Sequence, residues 1–153
     1  MMKAEVDQSG KLEHLNTHTV ISLANHFCGA VYISVSEKIK LVKFLRKTIV
    51  ARSDLIQTVF ATMIFILIIK FSKNITKLEI DEEYSNRDKF IKETIYKLFA
   101  ISKIINKPQI FFVRVGKHSP SHKLAWSIHR RKDKSKALVL KYEDIIKYWN
   151  LKK

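Results

Sequence analysis

The chain has 153 residues, which fits a single domain over 1–153 because domains usually contain about 100–200 residues. Hydrophobic residues make up 46% of it and it has only 3 Gly, 2 Pro and 1 Cys, which excludes a disordered protein, a disulfide framework and a multi-cysteine zinc site. The formal net charge of +15 favours a polyanionic partner, because Lys and Arg that neutralise phosphates release condensed counterions. A surface that serves only solubility is the alternative explanation.

The first part of the chain predicts three short strands, over Lys3–Asp7, Thr19–Ala24 and Cys28–Ile33. Short β-branched runs separated by brief polar breaks are typical of an antiparallel meander. Ser34 or Ser36 then caps a helix that we expect to run to about residue 48.

The next element is a strongly apolar segment, Leu55–Ile69. It is only about 15 residues long and contains Gln57, Thr58 and Thr62, whereas a membrane-spanning helix needs about 20 mostly apolar residues. We therefore predict a buried central helix and no membrane partner. The N-terminal residues lack the apolar core of a signal peptide, and the low cysteine content suits a reduced compartment, so a cytoplasmic location is expected.

Two more strands follow, separated by a helix. Thr76–Asp81 alternates apolar and polar residues with the period of a strand. An amphipathic pattern predicts a helix over about 87–105, and Pro108 precedes a strand over Gln109–Val115. Both strands should run parallel to the first strand, because helices connect them.

Two helices complete the chain. Ser119 is positioned to cap a helix with Pro120 at its first position, and Lys141–Leu151 predicts a closing amphipathic helix. The expected fold is thus α/β (α+β), with a mixed five-stranded sheet. Its three-stranded antiparallel meander precedes alternating helices and strands, and the apolar helix is inserted among them.

Three short motifs within this order carry a resemblance to a known family. Asp7 ends the first strand in VDQSG, Asp81 ends the fourth in LEIDEEY, and His122 opens the helix SPSHKLAW, three residues before Ala125. Over about residues 3–130 this arrangement resembles the ribonuclease H-like superfamily. A histidine at the last position is similar to the resolvase and Argonaute/Piwi branches, whereas many other members have an acidic residue there.

The resemblance implies a metal-dependent nuclease with Asp7, Asp81 and His122 as catalytic residues and metal ligands. Carboxylates from separate strands can hold two Mg²⁺ or Mn²⁺ ions roughly 3.5–4 Å apart, which stabilise the attacking and leaving oxygens of a phosphodiester. Glu79 or Glu83 would add a further ligand, because both share a strand face with Asp81 while Glu82 alternates away. Of the two, we assign Glu83 as the metal ligand. The positive end of the helix favours a neutral His122, which can bind a metal or relay a proton.

Ordinary structural roles compete with this interpretation. Asp7 can form a turn, Asp81 can cap or face solvent, and His122 can make a local hydrogen bond. The alternative function is a non-catalytic basic nucleic-acid-binding protein of the same fold. A distance of more than about 8 Å between the Asp7 and Asp81 carboxylates would favour it, since that gap is too wide for paired ions.

Basic residues around the last motif predict contacts to the phosphate backbone of a nucleic acid, and they need not read its sequence. The candidates are Lys117, Lys123, Arg130, Arg131 and Lys132. Trp126, in the same helix, is expected to lie in the core. The sequence does not choose among DNA, RNA and an RNA–DNA hybrid. A homodimer is left open, because resolvases of this superfamily act as dimers.

Overall fold

Three antiparallel strands begin the fold, as the sequence predicts. In the computed structural model, β1 (Lys3–Ser9) pairs with β2 (Thr19–Asn25), and β2 pairs with β3 (Gly29–Ile33). The pairing places Asp7 opposite Ser22. The structure describes residues 2–25, 28–48, 52–71, 74–114, 116, 118–131 and 137–149.

Three further strands extend this meander on both sides. β4 (Lys77–Asp81) pairs in parallel with β1, and β5 (Gln109–Val113) pairs in parallel with β4. β6 (Leu138–Leu140) pairs in parallel with β3, so the strand order is β5-β4-β1-β2-β3-β6. The mixed α/β class is confirmed, but the expected count of five strands is wrong. A strand of only three residues is too short to show an alternating pattern in the sequence.

Among the described residues, five α-helices connect and cover the strands, and a short 3-10 helix, Arg52–Asp54, precedes the second of them. The helices are α1 (Val35–Arg46), α2 (Leu55–Phe71), α3 (Asp88–Ile101), α4 (Pro120–Arg131) and α5 (Tyr142–Ile146). The helix predicted for Lys141–Leu151 is therefore shorter within the described residues.

Two helices begin where capping serines predict. The Ser34 hydroxyl accepts a hydrogen bond from the backbone N–H of Glu37. The Ser119 hydroxyl accepts one from the backbone N–H of His122, 3.1 Å away. Each bond satisfies an N–H group that the first helical turn leaves unpaired.

The apolar helix α2 is the central helix of the main core. Residues Arg52–Phe71 are long and apolar enough to cross a membrane by length and composition, with a mean hydropathy of 1.9. In the fold, 67% of an apolar 18-residue stretch within this segment is buried, and α2 packs against α3 and against β2 and β3. Most of its apolar surface is thus covered by other parts of the chain.

The two faces of the sheet are covered unequally. The main core lies between one face and the helices α1, α2, α3 and α5. On the other face, α4 packs against β1 and β2 through a small cluster that includes Ala125, Ile128 and Tyr32. Asp7 lies on this second face, beside the beginning of α4.

Candidate metal centre

Three carboxylates meet at the ends of two neighbouring strands. β1 and β4 are parallel, and their register pairs Val6 with Ile80, which brings Asp7 and Asp81 side by side at the next position. Glu83 lies two residues beyond Asp81. One oxygen from each of Asp7, Asp81 and Glu83 lies within 4.8 Å of the others, so the cluster could hold a metal ion. Three of the four residues that the sequence analysis assigned as metal ligands thus lie close to one another.

His122 reaches the same place from α4. Its Nδ1 atom lies 2.7 Å from Oδ2 of Asp7. A hydrogen bond between β2 and α4 helps to position this contact. In it, the hydroxyl of Ser22 donates to the backbone carbonyl of Ser121. Ser22 is the strand partner of Asp7, so this bond fixes the first turn of α4 beside that carboxylate.

Both carboxylate oxygens of Asp7 accept hydrogen bonds. Oδ1 accepts one from the backbone N–H of Gln8 at 2.9 Å, and Oδ2 accepts one from His122. The side chain is only 4% exposed, so its orientation is fixed. His122 was also predicted as a metal ligand. In this structure it contacts Asp7 but does not belong to the group of three acids whose ligand atoms lie within 4.8 Å of one another.

The cluster is electrostatically unfavourable without a cation. Burial raises the pKa of Asp7 from its ordinary value, and the hydrogen bonds from Gln8 and His122 oppose that rise. Burial, together with the neighbouring Asp81, raises the pKa of Glu83 to about 8, while the ammonium of Lys11 opposes it. Closely spaced acids in a partly buried site resist full ionisation, and a divalent cation removes that resistance.

The other acids near these strands take different roles. Glu79 forms an ion pair with Lys3 at 2.8 Å, which makes it the less suitable of the two expected extra ligands. Glu82 is exposed, as strand alternation predicts. Glu5 is the register partner of Glu79. Among the described residues, its buried Oε1 has no hydrogen-bond partner.

Tyr84, which the sequence did not single out, supports the base of the cluster. The hydroxyl of Tyr84 lies 3.4 Å from the side chain of Gln8 and 3.3 Å from Glu13. Tyr84 is buried and packs edge-to-face on Phe60, so it ties the segment after β4 to the segment after β1. Only its position directly after Glu83 could have suggested this role.

The predicted nucleic-acid contacts are placed in part. Lys123 and Arg130 are exposed on α4, which continues away from His122. Lys117, Lys132 and the side chain of Arg131 lie outside the described residues. The expectation for Trp126 is wrong: it is 49% exposed. The reason is that α4 buries Ser121, Ala125 and Ile128, and Trp126 lies on a flank outside this stripe.

Comparisons with known proteins give no relative: no protein-family model, curated protein or solved structure matches the chain.

Proposed function

We propose that this protein is a divalent-metal-dependent nuclease that hydrolyses phosphodiester bonds of structured DNA or of an RNA–DNA hybrid. The observation that carries the proposal is the convergence of Asp7, Asp81 and Glu83 at the ends of two parallel strands, with ligand atoms within 4.8 Å of one another. Acids gathered in a chain of net charge +15 suit a site that binds a cation while the surrounding surface attracts a polyanion.

The ligand set favours Mg²⁺ or Mn²⁺. Its three members offer only carboxylate oxygens, which hard divalent cations prefer. Zinc sites use mainly sulfur and nitrogen, and His122 has one ring nitrogen engaged with Asp7. A bound ion of this kind would offset the negative charge of the phosphoryl oxygens and would lower the pKa of a coordinated water.

The protein's own contribution is to hold ligands and to move a proton. Asp7 is fixed by hydrogen bonds to both of its oxygens, so it presents its remaining lone pairs in one orientation. In the neutral tautomer that donates from Nδ1, the Nε2 atom of His122 carries a lone pair. His122 therefore both positions Asp7 and offers a base at Nε2, as general acid–base catalysis requires.

The strand order also supports the ribonuclease H-like resemblance. The antiparallel meander β1-β2-β3 is followed by β4 and β5, which run parallel to β1. Asp81 is the last residue of β4, Asp7 lies near the end of the adjacent β1, and His122 stands in the first turn of the helix after β5. These are the places that the resemblance assigns to the acidic ligands and to the last-helix residue.

The alternative is a nucleic-acid-binding protein without catalysis. A wide separation of the carboxylates would have favoured it, but the ligand atoms of Asp7 and Asp81 lie within 4.8 Å. This spacing suits ions about 4 Å apart. The basic surface of α4 is compatible with either function, so only an activity measurement separates them.

Cleavage of a labelled panel tests the proposal. Single-stranded DNA, duplex DNA, an RNA–DNA hybrid and a four-way junction are incubated with Mg²⁺ or Mn²⁺ and the wild type, Asp7→Asn or Glu79→Gln. We expect metal-dependent cleavage that Asp7→Asn abolishes and Glu79→Gln retains, because Glu79 is a carboxylate on β4 that pairs with Lys3 outside the cluster. Binding without cleavage by the wild type would support the alternative.

A further inference from the structure

A row of side chains on one flank of α4 continues from the acidic cluster. His122, Trp126 and Arg130 are spaced four residues apart, which places them on the same flank of a helix. The opposite flank is held against the sheet by Ala125 and Ile128, both fully buried. The row is thus fixed in position, with one end at Asp7 and the other in solvent.

The exposed part of this row combines an aromatic surface with positive charge. Trp126 is 49% exposed, and the guanidinium of Arg130 lies 4.9 Å from the centre of its ring. Lys123 is exposed three residues before Trp126. No acidic residue occurs in α4, PSHKLAWSIHRR, so nothing within the helix neutralises these cations.

We propose that Trp126 and Arg130 form a stacking platform for an unpaired base of a nucleic-acid strand, with Lys123 contacting the adjoining phosphate. Aromatic and guanidinium planes bind bases through their faces, and such stacking does not depend on base identity. A base inside an intact duplex has its faces covered by its neighbours, so the platform selects single-stranded or branched nucleic acid over a continuous duplex. The placement of this platform next to the scissile bond rests on the proposed nuclease function, whereas the stacking itself does not.

An alternative occupant of this surface is an acidic protein segment. Charge alone would suit it, but an exposed indole with a stacked guanidinium offers flat faces, which nucleobases match. Nucleic acid is the occupant that uses both features.

Intrinsic fluorescence isolates this residue. The chain has two tryptophans, and the second, Trp149, donates from Nε1 to the hydroxyl of Thr62 at 3.0 Å. Trp149→Phe leaves the Thr62 hydroxyl bonded to the carbonyl of Thr58, so the substitution leaves no buried hydroxyl unpaired. In that full-length variant Trp126 is the only tryptophan, and its emission reports directly on stacking.

The experiment titrates this variant with an oligothymidylate and with a blunt duplex of equal length, in EDTA so that binding is measured apart from metal-dependent cleavage. We expect strong quenching by the single strand and little by the duplex. In the otherwise wild-type chain, Trp126→Ala should weaken single-strand binding, measured by anisotropy of a labelled oligonucleotide, about ten-fold or more. Trp126→Phe should recover part of that loss.

Charge-matched variants separate stacking from general attraction. Lys123→Ala should reduce the slope of log affinity against log salt by about 1, the contribution of one phosphate contact. Lys89→Ala removes the same charge from α3, where Lys89 pairs with Glu93, and should leave the slope unchanged.

Unquenched Trp126 emission, or equal single-strand affinity in Trp126→Ala and the wild type, would overturn the platform. Equal quenching by the duplex would overturn its selectivity. Neither result depends on cleavage, so absence of metal-dependent cleavage with normal quenching would refute the nuclease proposal alone.

Discussion

The Nδ1 atom of His122 lies 2.7 Å from Oδ2 of Asp7, although 115 positions separate the two residues in the chain. A buried carboxylate and a partly exposed imidazole are thereby joined at the ends of strands that also carry Asp81. Under the proposed function, this contact assigns two separable roles to His122, which are to orient Asp7 through Nδ1 and to exchange a proton through Nε2.

Substitution of His122 by Asn tests which function matters. The Asn amide can donate to Asp7 as Nδ1 does, but it has no base in place of Nε2. We expect His122→Asn to keep near-normal Mn²⁺ affinity and to lose about 100-fold or more in cleavage rate, the range of general acid–base catalysis. His118→Ala is the control, because His118 is exposed before the helix. Full activity in His122→Asn would show that orientation of Asp7 is sufficient.

Metal affinity should increase with pH, because the pKa of Glu83 is raised to about 8 and a carboxyl group must lose its proton to bind a metal. Below about pH 8 the metal-free Glu83 holds a proton, so binding releases it and the apparent affinity rises about ten-fold per pH unit up to that pH. Calorimetric titration with Mg²⁺ or Mn²⁺ in buffers of different ionisation enthalpy measures the released proton. Glu83→Gln should lose this release and Glu79→Gln should keep it. A flat affinity between about pH 6 and 8 would contradict the assignment of Glu83.

Lys38 should stabilise the segment between β1 and β2. Its side chain is buried, and its ammonium donates to the carbonyls of Lys11 and His14 and to the hydroxyl of Thr19 at 2.8–3.2 Å. Lys38→Met leaves these acceptors without a donor, so we expect the free energy of unfolding to fall by about 2 kcal/mol. Lys40→Met is the control, because the exposed Lys40 forms a surface ion pair with Glu37, and it should cost less than about 0.5 kcal/mol.

The Lys38 contribution also has a predicted pH dependence. Burial lowers the pKa of Lys38 to about 8, so between about pH 8 and 10 the unfolded chain binds more protons than the folded chain. The cost of burying the charge is fully present below about pH 8, decreases as the pH rises from 8 towards the ordinary pKa of 10.5, and is absent above that value. The stability difference between wild type and Lys38→Met, measured by urea unfolding, should therefore increase from about pH 7 to 10. A decrease over that range would contradict the lowered pKa.

Gly10 should be intolerant of any side chain. Its φ of 76° is a conformation that favours glycine, and a Cβ atom there would collide with the backbone carbonyl of His18 and the ring of His129. We expect Gly10→Ala to lower the free energy of unfolding by about 2 kcal/mol or more. Gly116→Ala is a matched control, because a Cβ at Gly116 meets nothing within 4 Å. Equal thermal midpoints for the two variants would show that the turn at Gly10 adjusts freely.

Much of the fold could be predicted locally. Short apolar or alternating runs locate β1 to β5 to within a few residues, and Ser34 and Ser119 locate the starts of α1 and α4, because periodicity and capping act over one or two turns of chain. The same patterns place Asp81 at the end of β4 and Asp7 near the end of β1. Together with the charge of +15, they are what the sequence by itself determined about the site.

Only the tertiary structure decided which residues contact Glu79, Glu83 and Trp126. Glu79 and Glu83 are equivalent by strand period, yet Glu79 pairs with Lys3 and Glu83 turns back to Asp81 and Asp7. Trp126 lies outside the stripe of α4 that Ala125 and Ile128 bury against the sheet, and β6 pairs with the edge of β3. The physical reason is that local periodicity fixes the direction of a side chain, whereas its neighbours come from elements distant in sequence.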